Sequence, residues 1–221
     1  MRKAVLVVLS GGQDSCTCLA WACARFDYIY TISFDYGQRH KVELECASKL
    51  SLLAHAKEHF EIPVFSLSYL GGSALVGGGD ISSSHTINHD LPASFVPGRN
   101  YLFLGIAAAK AYHIGVQDLV TGVCQTDFSG YPDCRDTTIK SIQVSLNLAL
   151  DSPIYIHTPL MWKTKAETVL MMQELDHLDW YKNTHTCYEG KKSPCLLCPA
   201  CKLRAKGFKA AHIEDPLIQS K

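Results

Sequence analysis

An apolar run, Val5-Leu6-Val7-Val8-Leu9, leads straight into Ser10-Gly11-Gly12-Gln13-Asp14-Ser15 and then into the helix-compatible stretch Cys16 to Ala24. Strand, glycine turn and helix in that order constrain the fold more than any other part of the chain. Two adjacent glycines let the backbone take dihedrals closed to other residues and let a ligand approach the main chain. The free N–H groups of the new helix, with the turn amides, form an anion site. Ser10 and Ser15 add hydroxyl donors, and Asp14 suits a helix first turn and, with phosphate present, a magnesium ion. The segment predicts a phosphate pocket; the alternative is an ordinary strand-to-helix turn. Neither G-x-G-x-x-G nor G-x-x-x-x-G-K-[ST] fits this position.

With 221 residues, 47% of them hydrophobic, the chain can bury one main core and carry a small appendage. Basic and acidic residues balance at 21 each, so no global field attracts nucleic acid, and a small-molecule substrate is favoured. Met1-Arg2-Lys3 before an apolar run imitates a secretion signal, but the run is short and ends in the glycine turn. No stretch approaches the length of a membrane span. Ten cysteines without a signal predict a cytoplasmic protein whose thiols are buried or metal-bound.

Apolar strand-like runs alternate with helical patterns over the first two-thirds of the chain, which predicts an α/β fold with a parallel sheet. Strands are expected near Lys3 to Leu9, Tyr28 to Phe34, Glu61 to Leu67, Asp118 to Gly122 and Ile154 to His157. Helices are expected over Asp14 to Arg25, Lys41 to Ala56, Asn100 to His113, Asp133 to Leu150 and Lys165 to Leu175. Such sheets bind ligands beyond the carboxyl ends of their strands, where the strand order switches. From 70 to 94 the pattern stops in glycine and serine clusters, predicting either a lid over nucleotide and substrate or a plain flexible insertion. The main domain is expected over 1–180, and 181–221 reads as an appended module without strong periodicity.

That module carries Cys187, Cys195, Cys198 and Cys201 in the spacing C-x7-C-x2-C-x2-C. Four thiolates match a closed tetrahedral zinc site, which would order a tail too short to bury its own core. An iron–sulfur cluster uses the same ligands and stays open as an alternative. His185 is a further ligand candidate, and a surface or core histidine is the plainer reading.

Two other loops are richer than connections require. Phe95-Val96-Pro97-Gly98-Arg99-Asn100 delivers Arg99 to a helix start, where its planar fork can clamp phosphate or carboxylate, or simply lie solvated beside a cap. Gly122 to Asp136 gathers Gln125, Asp127, Phe128, Tyr131, Asp133 and Arg135 where this sheet type binds ligands. A heterocycle can stack on Phe128 or Tyr131 while Asp127 or Asp133 accepts its N–H groups; Asp133 is equally suited to capping the next helix. Lys163 and Lys165 follow the fifth strand, and a lysine there can neutralise a departing pyrophosphate. Tyr36 to His40 can flank the nucleotide.

The form S-G-G-x-D-S resembles the PP-loop of the ATP pyrophosphatases, which transfer AMP to an oxygen atom and include NAD synthetase, GMP synthetase and tRNA thiolation enzymes. Together with Phe34 to His40, Phe95 to Asn100, Gly122 to Asp136, Thr158 to Trp162 and the cysteine tail, the whole chain resembles the QueC family of 7-cyano-7-deazaguanine synthases. Only the stretch Gly71 to Ser94 departs from it.

The resemblance implies a Rossmann-like parallel five-stranded sheet with helices on both faces, adenine nucleotide alpha-hydrolase-like, plus a C-terminal zinc module. It implies a homodimeric, ATP- and Mg2+-dependent carbon–nitrogen ligase of queuosine biosynthesis, converting 7-carboxy-7-deazaguanine and free ammonia to the nitrile through an adenylated acid and an adenylated amide. In those terms the expected catalytic residues are Ser10, Asp14, Ser15, Arg99 and Lys165. Nucleotide is expected along Leu9, Ser10, Gly11, Gly12, Gln13, Asp14, Ser15, Cys16, Thr17, Cys18 and Leu19, and deazaguanine in the loop from Gly122 to Arg135. Rival readings are another PP-loop amidating ligase, a tRNA thiolation enzyme, which would need a basic RNA-binding surface, and a non-catalytic nucleotide sensor.

Overall fold

A computed structural model describes residues 3–38, 41–65, 67, 73–75, 85, 88–126, 131–190 and 193–219. The strands are β1 (Ala4–Val8), β2 (Tyr28–Asp35), β3 (Glu58–Pro63), β4 (Asp118–Val120) and β5 (Tyr155–His157). The helices between and after them are α1 (Gln13–Cys23), α2 (Val42–Leu53), α3 (Arg99–His113), α4 (Asp136–Leu150), α5 (Lys165–Glu174), α6 (Pro199–Ala211) and the single turn α7 (Pro216–Gln219). The five strands are all parallel, in the order β3-β2-β1-β4-β5. The order reverses between β1 and β4, so their carboxyl ends flank the crevice in which such sheets hold ligands.

Alternation along β1 builds two cores from one strand. Val5, Val7 and Leu9 face a layer to which α1, α2, α5 and α6 contribute Leu19, Leu50, Met172 and Phe208. Leu6 faces the other way, with Ile32 and Phe34, against Phe103, Ala107, Ala108 and Ala111 of α3. Helix α4 completes that second layer by packing Ile139 and Ile142 beside Leu104 and Met161. The α/β architecture expected from the alternation is the one formed.

Three local expectations are corrected. β3 runs from Glu58 to Pro63 rather than from Glu61 to Leu67, because its register is set by pairing with β2, Tyr30 to Glu58 through Asp35 to Pro63, and not by the apolar residues that follow. α4 starts at Asp136, since Pro132–Cys134 forms a separate 3-10 turn. The tail is not aperiodic: α6 buries Cys201, Arg204, Gly207, Phe208 and Ala211, a helical stripe disguised by a cysteine and an arginine at core positions.

Arg204 ties the tail together. Its Nε and Nη2 donate to the two carboxylate oxygens of Asp215 at 2.6 and 2.8 Å, and its Nη1 donates to Thr184 Oγ1 at 2.7 Å. The 181–221 segment shares the main core through Tyr181, Phe208 and Ala211. Of the stretch 70–94, Ala74 donates its amide to Ala93 O at 2.8 Å and Leu75 packs into the core under α3; most of the rest lies outside the described residues. Among the described residues no helix is long and apolar enough to cross a membrane.

Candidate active site

β1 ends at Val8, and the chain turns through Ser10, Gly11 and Gly12 into α1. Gly11 sits at φ +81°, and a Cβ there would overlap the Glu43 carbonyl oxygen and lie 2.9 Å from the Ala47 nitrogen. Only glycine lets the turn press against α2. Gly11→Ala is expected to lower stability by more than about 2 kcal/mol, read as a fall in the urea midpoint at unchanged slope.

No side chain caps α1 at Gly12, which leaves its first amides facing the crevice. Hydroxyls gather there: Ser10 Oγ donates to Ser15 Oγ at 3.1 Å, and Ser15 Oγ donates to Gly12 O at 3.0 Å. Gly122, just past β4, faces this turn; a Cβ on it would lie 3.1 Å from the Asp14 carbonyl carbon and the Ser15 nitrogen.

Lys165 reaches the same place from α5, which packs in the same layer as α1. A capping box fixes the start of α5: Thr164 Oγ1 accepts from Glu167 N at 3.2 Å, and Glu167 Oε2 accepts from Thr164 N at 2.7 Å. From that start Lys165 Nζ donates to Asp14 Oδ2 at 2.5 Å. Asp14 Oδ1 is buried without a hydrogen-bond partner, as is Gln13 Nε2. A carboxylate oxygen left unpaired beside an open helix N-terminus fits a cation held between it and a phosphate.

These groups line a cavity of about 800 Å³. Arg99 lines the same cavity. Gly98, at φ +68°, turns the chain into α3, and Arg99 Nη1 donates to Tyr36 Oη at 3.3 Å. Burial opposes the charge on Arg99, but the Tyr36 and Tyr131 phenols and the Asp133 carboxylate outweigh it and hold the proton on. Burial pushes the Tyr36 phenol up to about 12. Among the described residues no carboxylate lies within ion-pair distance of Arg99, which lines the cavity.

The residues singled out from sequence divide clearly. Leu9, Ser10, Gly12, Gln13, Asp14, Ser15, Arg99, Tyr131 and Lys165 all line the cavity. Gly11 faces α2, while Cys16, Thr17, Cys18 and Leu19 are wholly buried behind the loop, Thr17 Oγ1 meeting Tyr181 Oη at 2.6 Å. Tyr131 Oη pairs with Ser94 Oγ at 2.6 Å. Asp133 does act as a cap, but of α3 rather than the helix after it: its Oδ2 accepts from Asn100 N at 2.9 Å. Its Oδ1 is buried without a partner. Gln125 accepts from Asp136 N at 2.9 Å, Arg135 is exposed at the start of α4, and neither lines the cavity. Asp127, Phe128, Arg39 and His40 lie outside the described residues. Sequence reasoning missed Tyr188, Thr186, Leu203 and Arg204, which close the cavity from the tail and reach it only through long-range folding.

The four tail cysteines converge, their sulfurs all within 4.8 Å of one another. The amides of Leu197 and Cys198 point at Cys195 Sγ at 3.4 and 3.3 Å, helped by Leu196 at φ +60°. Burial opposes ionisation of Cys195, yet the amides of Cys198 and Leu197 prevail and bring its thiol down to about 7. Four clustered thiols with amides aimed at sulfur fit a tetrahedral metal ion. His185 stands outside the cluster, its Nε2 bonded to Cys187 O at 2.8 Å.

Residues 3–212 match the family model described as queuosine biosynthesis protein QueC. The chain belongs to the QueC family. This QueC-family chain is 50% identical over 218 residues to the 7-cyano-7-deazaguanine synthase of Chromobacterium violaceum, covering 97% of the chain and 92% of that relative. It is 47% identical over 209 residues to the synthase of Bacillus subtilis, covering 94% of each. In fold it is similar to a 4-thiouridine synthetase solved as an RNA complex with bound ATP, at 16% identity and a TM-score of 0.50, covering 99% of this chain and 52% of that one.

Proposed function

We propose that this QueC-family chain is an ATP-dependent carbon–nitrogen ligase that converts 7-carboxy-7-deazaguanine and ammonia to 7-cyano-7-deazaguanine. The observation that carries the reading is a single cavity lined both by an uncapped helix N-terminus with the Asp14–Lys165 pair and by Arg99, which no carboxylate among the described residues pairs. The helix N-terminus suits a triphosphate and the arginine fork a carboxylate.

A carboxylate oxygen is a poor leaving group, so it must be activated. Attack of that oxygen on the α-phosphate of ATP displaces pyrophosphate and forms an acyl adenylate. Ammonia displaces AMP to give the amide. The amide oxygen then attacks the α-phosphate of a second ATP, displacing a second pyrophosphate, and elimination of AMP with loss of the two N–H protons leaves the nitrile. Arg99 holds the carboxylate at the α-phosphate, and Ser10, Ser15 and the first amides of α1 take the departing pyrophosphate, with Lys165 neutralising its charge. Asp14 Oδ1 would hold Mg2+, which offsets phosphate charge when bound. Tyr131 walls the deazaguanine site, and Asp133 positions Arg99 through the Asn100 amide. Tyr188 and Leu203 help exclude the water that would hydrolyse the adenylate. We assign zinc to the cysteine cluster because its four sulfurs lie within 4.8 Å of one another, close enough to surround a single tetrahedral ion. Ten free thiols accord with a reducing, cytoplasmic setting.

Incubation of the protein with ATP, magnesium, ammonia and the acid tests the reading by mass spectrometry. Nitrile and AMP are the expected products. ADP in place of AMP, or no nitrile, would reject it.

A homodimer belongs to the same proposal. The outward faces of α3 and α4, which pack side by side, expose Tyr101, Leu102, Tyr112, Val144 and Leu148, the last at 79%. Large apolar side chains exposed together on adjoining helix faces mark an interaction surface. Wild-type protein is expected to run at twice 24.4 kDa in light scattering, and Leu148→Asp at the monomer mass. A wild-type monomer, or an unaffected dimer in the variant, would place the contact elsewhere or remove it.

A further inference from the structure

We infer that the Cys187, Cys195, Cys198 and Cys201 cluster is a positioning element of the nucleotide site, so that metal held there and nucleotide held on the glycine loop bind with mutual dependence. The inference rests on the proposed nucleotide site and adds a second role to a cluster otherwise read as a staple for the tail.

Two arms run from the cluster to the loop. The first is the chain just before Cys187: the His185 amide donates to Gly11 O at 2.9 Å, and His185 Nε2 reaches Cys187 O at 2.8 Å, locking that short turn. Thr186, between them, lines the cavity. The second arm is α6, whose cap is Cys198 and whose first turn contains Cys201. Further along this helix, Gly207 lies directly on Lys165: an added Cβ would stand 2.8 Å from Lys165 Cβ and 3.2 Å from its carbonyl carbon. Lys165 then reaches Asp14 at 2.5 Å. The arms thus hold the loop on both sides, at the Gly11 carbonyl and at the Asp14 carboxylate. Arg204 joins them, since it rises from α6 and donates to Thr184 Oγ1 at 2.7 Å, next to His185.

Apolar burial alone does little to hold the junction of the arms. The cluster's own core is three buried cysteines with Tyr188, Cys195 and Ala200 packed around them. Without a metal ion nothing bonds the four sulfurs to one another, so the junction of the two arms is left to this small core and both arms loosen. Gly207, through Lys165, and His185, through its amide, are therefore positioning residues for nucleotide.

The test uses the full chain loaded with zinc. Nucleotide affinity is measured by calorimetry on loaded protein and on chelator-stripped protein whose circular dichroism is unchanged, and zinc transfer to a chromophoric chelator is timed with and without ATP. Stripping is expected to weaken nucleotide binding at least about fivefold, and reciprocity requires the zinc affinity to rise by the same factor with nucleotide bound. Gly207→Ala covers the case in which stripped protein unfolds: it retains all four thiols, so zinc content should stay at wild type while nucleotide affinity falls severalfold and ATP protects zinc less. Equal nucleotide affinity with and without zinc in folded protein, or wild-type nucleotide binding in Gly207→Ala, would overturn the inference and leave the nucleotide site standing. Failure of the loaded protein to bind ATP at all would instead remove the nucleotide site, and the inference with it.

Discussion

Asp14→Asn is expected to lower kcat/KM for ATP by about 10³-fold, ~4 kcal/mol of transition-state stabilisation. The amide matches the carboxylate in size, so packing is preserved and the loss is one of charge. Lys165 Nζ, now 2.5 Å from a carboxylate oxygen, would face a neutral one and lose the partner that aims it. The second oxygen, Asp14 Oδ1, a buried acceptor beside the loop that lacks a partner, would cease to be an anionic ligand. Because both effects act through one pair, Lys165→Met should cost about as much as Asp14→Asn, and the double variant little more than either. Steady-state rates at saturating magnesium, with circular dichroism as a control for folding, provide the check. Additive losses in the double variant would mean that the two residues act separately.

Arg99→Met is expected to lower kcat/KM for the carboxylic acid by about 10³-fold, since removing the charged partner of a desolvated carboxylate costs roughly 3–5 kcal/mol. ATP affinity should stay within a few-fold, because the proposed partner of Arg99 is the acid and not the phosphates. Arg99→Lys should recover little, as an ammonium cannot reproduce the planar fork. The amide intermediate, supplied directly, has no carboxylate to clamp. Its conversion to nitrile should therefore suffer much less than that of the acid. Equal losses on acid and amide would move Arg99 from carboxylate recognition to the phosphates.

What the sequence made visible was local. The order of β1, glycine turn and α1 is fixed by adjacent residues, and so is the four-cysteine spacing; both folded as the pattern implied. The position of β3 was not visible, because pairing with β2 selects the polar segment Glu58–Pro63 over the apolar residues after it. Asp133 was legible as a capping residue, but the amide it caps, that of Asn100, lies 33 positions earlier in the chain, and no local pattern announces that. Arg204 was invisible for the opposite reason. A buried arginine on α6 makes sense only once Asp215, Thr184 and Tyr181 have been brought around it. The cavity wall from the tail, Tyr188 and Leu203 included, shares that dependence on tertiary contacts.

The central claim is that ATP is cleaved between its α- and β-phosphates at the Ser10 to Ser15 loop, with substrate oxygen leaving in AMP. Substrate labelled with oxygen-18 at both carboxylate oxygens tests this most directly. The account predicts two AMP molecules per nitrile, each carrying one labelled oxygen, the first from the acid and the second from the amide. Label recovered in inorganic phosphate alongside ADP, or unlabelled AMP, would contradict it.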